Sequence, residues 1–227
     1  MRPARHHLVW LSEAGREAII LRRPDLCAAP AIRTWIDAGF PVMSRRAAPG
    51  DDPLMWPAAI ALPPAQGRLR VPLEVKPGEV LRVTPPPLLR AALDGRIALA
   101  DGWRHRIASV LRLADDLAIQ PRMFGSLMWQ TVTGLAFLRP GSDLDLLWQI
   151  EAFGNHAAAG LPVLLDGLRM LDRVGPPRLD GELLFGRSGV HWREWAAAAP
   201  EDTVLLKTDT GARLVPRSAW PTGWTSA

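Results

Sequence analysis

A chain of 227 residues with 48% hydrophobic and 22% charged side chains has room for one large domain or two small ones, and its composition excludes a disordered or fibrous protein. Its single cysteine, Cys27, excludes an internal disulfide and fits a reducing cytoplasm, with the side chain acting as a small apolar residue rather than a nucleophile. The net charge of +4 is almost wholly arginine and suits an anionic substrate or an acidic partner, while the scatter of those arginines argues against a nucleic-acid surface.

From residue 1 to about residue 93 the chain is proline-rich. The N-terminal stretch MRPARHHLVWLSEAGREAIIL is basic but has neither a sustained apolar core nor a cleavage site, so no signal peptide is expected. LVWL, AIIL, IALPP, VPLEV and VLRVTPPPLL are short apolar runs, punctuated by turn signals at residues 50–53 and 65–67. They predict short strands, with one small helix over residues 30–38, and together a small α+β accessory domain. Pro85, Pro86 and Pro87 cannot continue a strand and mark the crossing to a second unit, expected over residues 94–227.

Beyond Leu88 the texture becomes α/β. LLRAAL and RHRIASVLRLADDLAIQ carry apolar residues at helical spacing, with Ile107, Val110, Leu111 and Ala114 on one face and Pro121 as the stop. RMFGS predicts a strand entering a glycine turn, LMWQTVTG a helix start, and SDLDLLWQI a strand. Residues 155–172 predict a helix with Asn155 as its cap. Its run from 157 to 171 is broken by Gly160, Pro162, Asp166 and Arg169, too interrupted to span a membrane. RLDGELLF predicts a strand, SGVHWREWAAA a helix started by Ser188, and TVLLKT with ARLVP a hairpin across Asp209, Thr210 and Gly211.

Chemistry concentrates in residues 123–148. On a strand, Asp143 and Asp145 project to one face while Leu144 and Leu146 enter the core. Two adjacent carboxylates on a mostly apolar strand are costly unless a cation sits between them, and Mg²⁺ is the usual guest, held by one or two carboxylates and substrate phosphates. Gly125 and Ser126, just before a helix, offer backbone N–H groups to a phosphate. Phosphoryl transfer with two metals wants a third carboxylate from a neighbouring strand, as ligand or as base. Asp180 and Glu182 both qualify, with Asp180 preferred. Lys207 is unusual inside VLLKT and Arg139 precedes the acidic strand; both are candidate phosphate contacts. His191 and Trp192 either stack on a base or pack a helix start.

GSLMWQTVTGLAFLRPGSDLDLLW, RLDGELLF, HWREW, VLLKT, RHHLVWL and IALPP together resemble the phosphoribosyl-dephospho-CoA transferase family. These are the holo-acyl-carrier-protein synthases of malonate decarboxylase, in the nucleotidyltransferase superfamily of DNA polymerase β type. The similarity covers most of the chain, although the gap between Ser126 and Asp143 is longer than that superfamily's usual one. The resemblance implies an α+β fold: a nucleotidyltransferase-like mixed sheet flanked by helices, with the accessory domain before it. It also implies a metal-dependent transferase with Asp143 and Asp145 as the catalytic metal-binding pair; beside it, the residues' own spacing makes Mg²⁺ the expected ion and Asp180 the expected third ligand. The implied donor is triphosphoribosyl-dephospho-CoA, the acceptor a serine of the malonate decarboxylase acyl-carrier subunit, and the second product pyrophosphate. The competing readings are a nucleotidyltransferase moving AMP or UMP, and a non-catalytic nucleotide- or RNA-binding module.

Overall fold

The structure is a computed structural model that describes residues 2–221, with the backbone alone at residues 155–158. It is a mixed α+β protein with two sheets and no closed barrel. The chain forms two compact units. One gathers everything up to Pro86 together with Leu135–Phe137 and Asp209–Gly211; the other holds the rest.

The first unit contains β1 (Leu8–Leu11), α1 (Glu13–Arg22), α2 (Pro24–Cys27), α3 (Pro30–Asp37), β2 (Val42–Ser44), β3 (Trp56–Ala61), β4 (Arg70–Val75) and β5 (Val80–Thr84). Its strands make one antiparallel sheet in the order β4-β3-β2-β1-β5. AIIL, expected as a strand, lies instead in α1. Ser12 accepts a hydrogen bond from the Gly15 N–H at 3.0 Å and Glu13 occupies the first turn, so a cap and a favourable charge start a helix that buries Ile19 and leaves Leu21 in solvent. The helix expected over 30–38 is α3, which buries Ile32, Trp35 and Ile36. Phe40 and Phe137 meet the Trp35 ring edge-on, at 5.2 and 6.3 Å between centroids.

Glu79 ties α1 to the sheet's far end. Its backbone carbonyl accepts from both the N–H and the hydroxyl of Ser12, and a Cβ on Gly15 would lie 2.2 Å from that oxygen. Its carboxylate accepts from Arg22 at 2.6 and 3.0 Å and from the Lys76 N–H at 2.9 Å. Burial pushes this carboxyl up, but the Arg22 and Lys76 bonds outweigh it and hold the group below its ordinary range. A depressed pKa stabilises the fold above about pH 4.3, the unfolded value, and that contribution is lost as pH falls through the native pKa. Glu79→Gln is therefore expected to cost about 1–3 kcal/mol at neutral pH, with the difference from wild type shrinking at acid pH as the carboxyl is protonated. Urea titrations at neutral and acid pH check this.

The second unit contains α4 (Asp101–Asp116), β6 (Arg122–Met123), α5 (Gly125–Thr133), β7 (Leu144–Gln149), α6 (Ala157–Asp172), β8 (Leu179–Phe185), β9 (Ser188–His191), α7 (Trp192–Ala197), β10 (Thr203–Lys207) and β11 (Ala212–Pro216). Its sheet runs β11-β10-β9-β8-β7-β6, with β7 and β8 parallel and joined through α6, and the other neighbours antiparallel. Leu144, Leu146, Trp148, Leu179 and Leu183 are fully buried in the core, as are Ile107, Val110 and Ala114 on α4.

Three elements depart from the sequence expectation. LLRAAL forms a 3-10 turn over Leu89–Leu93 rather than part of an α-helix. α4 stops before Pro121, because Ala118 adopts φ 52° and the N–H groups of Ala118 and Ile119 return to the carbonyls of Asp115 and Ala114. This is a Schellman closure carried by alanine where glycine is usual. Ser188 starts a strand, not a helix: Gly186, at φ 59°, turns a two-residue hairpin between β8 and β9, and the helix begins only at Trp192, capped by the His191 side chain. The side chain of Asn155, expected as a cap, lies outside the described residues.

Gly181 fixes how β8 lies on β7. Its φ is 141°, and a Cβ there would lie 2.0 Å from the Leu146 carbonyl oxygen. Gly181→Ala is expected to destabilise the protein by more than about 3 kcal/mol, from backbone strain plus a clash with a neighbouring main chain that cannot move away. A thermal melt tests it, with Gly102→Ala, where nothing lies near the added methyl group, as the control.

Candidate active site

β6 is only two residues long and runs directly into α5, so the chain reverses at Phe124 and Gly125. The Phe124 N–H donates to the Asp145 carbonyl at 3.1 Å, which pins the start of α5 to the beginning of β7. Gly125 has φ 64°, and a Cβ on it would lie 1.9 Å from Oδ2 of Asp145. The carboxylate of Asp145 thus rests against the Gly125 backbone at the N-terminus of a nine-residue helix, where only glycine leaves room for it.

Asp145 is half-buried. Asp143 is exposed and stands one residue before β7 begins, rather than inside the strand. Ser126 follows in the first turn of α5 and is half-buried. Arg139 is exposed in the turn before Asp143, where its N–H donates to the Ser142 hydroxyl at 3.0 Å. The long gap between Ser126 and Asp143 has a structural origin. After α5 ends at Gly134, residues Leu135–Phe137 belong to the first unit, and the chain returns where the Leu138 N–H donates to the Gln130 side chain.

The parallel register sets Asp145 beside Asp180 and Leu147 beside Glu182. Both acidic residues of β8 therefore share the Asp145 face of the sheet, yet their surroundings differ. Glu182 is buried and its carboxylate accepts from Lys207 Nζ at 2.9 Å, so these two neutralise each other. Asp180 is half-exposed. Its Oδ1 accepts from the Gly181 N–H at 2.8 Å and meets Nε2 of His191 at 2.5 Å. The His191 bond and the Gly181 N–H hold the Asp180 carboxyl below the usual carboxylate range, against the burial that pushes it up.

Two further residues belong to this face, and sequence spacing did not single out either role. His191 lies opposite Glu182 in the β8–β9 pair and reaches Asp180. Arg122 lies opposite Leu147 in the β6–β7 pair, with its pKa lowered by burial. The only signal for Arg122 was its place just before the glycine turn; the His191 contact depends on strand register.

Among the described residues no group of three or more His, Cys, Asp or Glu side chains is arranged to hold a metal ion. The oxygen donors at Asp143 and Asp145 instead fit a hard cation that arrives with, and is completed by, the oxygens of a phosphate substrate. Asp180 is the register partner of Asp145 on the neighbouring strand.

Two family models cover the chain: the phosphoribosyl-dephospho-CoA transferase MdcG N-terminal domain over residues 4–86 and the C-terminal domain of the same family over residues 89–218. The chain belongs to the phosphoribosyl-dephospho-CoA transferase family. It is similar to the phosphoribosyl-dephospho-CoA transferase of Xanthomonas campestris pv. campestris strain 8004, with 35% identity over 219 residues and 95% of each chain covered. The Bradyrhizobium diazoefficiens relative of the same name is 31% identical over 226 residues, covering 99% of this chain and 95% of the relative. No solved structure matches the chain. As a phosphoribosyl-dephospho-CoA transferase family member the protein is an enzyme, a transferase. Among its described residues no helix is long and apolar enough to cross a membrane.

Proposed function

We propose that this enzyme transfers the phosphoribosyl-dephospho-CoA group from triphosphoribosyl-dephospho-CoA to a serine hydroxyl of the malonate decarboxylase acyl-carrier subunit. The second product is pyrophosphate and the setting is the cytoplasm. One observation carries the assignment of the site: the Asp145 carboxylate lies against Gly125 at the N-terminus of α5. An acidic side chain that close to a phosphate-binding helix end is repulsive toward a bare anion and attractive toward an anion accompanied by a divalent cation.

Asp143 and Asp145 would hold Mg²⁺, which when bound offsets charge on the attacking oxygen and on the departing pyrophosphate. The N–H groups of Gly125 and Ser126 receive phosphate oxygens, and the Ser126 hydroxyl adds a donor. Arg122 on the neighbouring strand and Arg139 in the turn before Asp143 supply positive charge. Lys207 lies on the same face of the sheet, where its ammonium is paired with Glu182. The serine oxygen forms a bond to the phosphorus nearest the ribose, and the bond from that phosphorus to pyrophosphate breaks. The serine proton passes to the ionised Asp180 and on to water. A net positive enzyme would also attract an acidic carrier.

The test is intact-mass spectrometry of apo carrier subunit incubated with the enzyme, Mg²⁺ and either triphosphoribosyl-dephospho-CoA or ATP. The reading requires the phosphoribosyl-dephospho-CoA mass on the carrier with the first donor. An AMP adduct with ATP and none with the first donor would replace this assignment by the other nucleotidyltransferase chemistry.

A further inference from the structure

The His191 imidazole is held from both sides by bonds of fixed direction. On one side Nδ1 accepts the Arg193 N–H at 3.1 Å, which also caps α7. A ring nitrogen that accepts carries no proton, so in the neutral imidazole the proton is assigned to Nε2. On the other side Nε2 meets Oδ1 of Asp180 at 2.5 Å, as a donor to a carboxylate. The base of the ring is fixed as well: His191 ends β9 opposite Glu182, and its ring stacks on that of Trp192, with 6.5 Å between centroids and 16° between planes.

The consequence falls on Asp180. Oδ1 takes two donors, His191 Nε2 and the Gly181 N–H, from two directions. Oδ2 carries no hydrogen bond among the described residues. A half-exposed aspartate on a strand otherwise has more than one accessible rotamer. Two donors on one oxygen select the rotamer in which the other oxygen stands open, on the face shared with Asp145.

We propose that His191 is a positioning residue for the transfer reaction, a fixed Nε2–H donor that holds Asp180 with one oxygen presented to the acceptor hydroxyl. The inference rests on the reading of Asp180 as the group that takes the serine proton. It assigns no proton transfer to His191 itself. The logic is that of an orienting partner behind a reacting carboxylate, whose loss typically costs about 10–100-fold in rate.

The experiment compares wild type with His191→Ala, His191→Gln, Asp180→Asn and the His191→Ala/Asp180→Asn double variant in steady-state transfer to the apo carrier, with thermal melts of each. His191→Ala should lower kcat about 10–100-fold, with KM for the donor changed less than about threefold. His191→Gln places an N–H donor near the same point and should recover most of the loss. In the Asp180→Asn background, removing the imidazole should add less than about a twofold loss, because the two residues act as a unit.

A spectroscopic measurement stands apart from turnover. In ¹⁵N-histidine-labelled protein at about pH 8.5, where imidazoles are neutral, the His191 ring should show a protonated Nε2 and an unprotonated Nδ1, with Nε2 shifting in Asp180→Asn. His191→Gln identifies the signal among the five histidines. A ring protonated on Nδ1, a Gln variant as slow as Ala, or losses that multiply in the double variant would each overturn the proposal. Asp180→Asn with wild-type turnover would instead remove the reading on which it rests.

Discussion

Asp145→Asn is expected to lower kcat for carrier modification by about three orders of magnitude or more, with the melting temperature within about 3 °C of wild type. The size follows from losing the half-buried carboxylate that would anchor the cation, roughly 4 kcal/mol of transition-state stabilisation. Stability is spared because asparagine keeps the volume that rests against Gly125 and leaves the Phe124–Asp145 backbone bond untouched. Asp143 is exposed and precedes β7, so Asp143→Asn should be equally silent in a melt and should also be severe in turnover. Steady-state kinetics paired with thermal denaturation separate the two effects. An Asp145→Asn enzyme with turnover within tenfold of wild type would show that the carboxylate is not part of the reaction.

Gly125→Ala should also damage turnover, less severely and by a different route. The residue sits at φ 64°, where alanine costs about 1 kcal/mol, and its new methyl group would fall 1.9 Å from Asp145 Oδ2. The flexible element is the aspartate side chain, so it rotates and leaves its place at the helix end. We expect kcat to fall about 100-fold from misplacement alone, with a stability loss of about 1–2 kcal/mol. Gly134→Ala, at a similar φ of 73° but with nothing near the added methyl group, should lose comparable stability and no turnover. Equal activity in the two variants would mean that contact with Asp145 is irrelevant.

What the sequence made legible was local. Periodicity placed Ile107, Val110, Leu111 and Ala114 on one buried helix face, and pattern located a strand within SDLDLLWQI and a hairpin in TVLLKT with ARLVP. Misplaced elements had their causes at neighbouring positions. AIIL became helical because Ser12 caps it, and SGVH became a strand because Gly186 closes a tight hairpin that helix propensity does not register. α4 ends on an alanine in the left-handed region, a position that carries no compositional signal.

The site divides along the same line. Gly125 and Ser126 are neighbours in sequence, and Asp143 and Asp145 are two apart, so each pair could be proposed from spacing alone. The choice between Asp180 and Glu182 could not, because both have the right parity on β8. The lysine on β10 and the histidine on β9 distinguish them, and those contacts depend on how three strands are ordered. The pairing of Glu182 with Lys207 engages two of the candidate residues with each other, the glutamate buried and the lysine half-buried. It leaves Asp180 as the acidic side chain of β8 with an oxygen to spare.

The most direct measurement is the position of a bound cation. Crystals grown with Mn²⁺ and the pyrophosphate-containing donor, phased on the anomalous signal of the metal, should show a peak within about 2.5 Å of carboxylate oxygens of both Asp143 and Asp145, with donor phosphate oxygens at the first turn of α5. An anomalous peak elsewhere, or donor phosphates bound away from Gly125 and Ser126, would contradict the account at its centre.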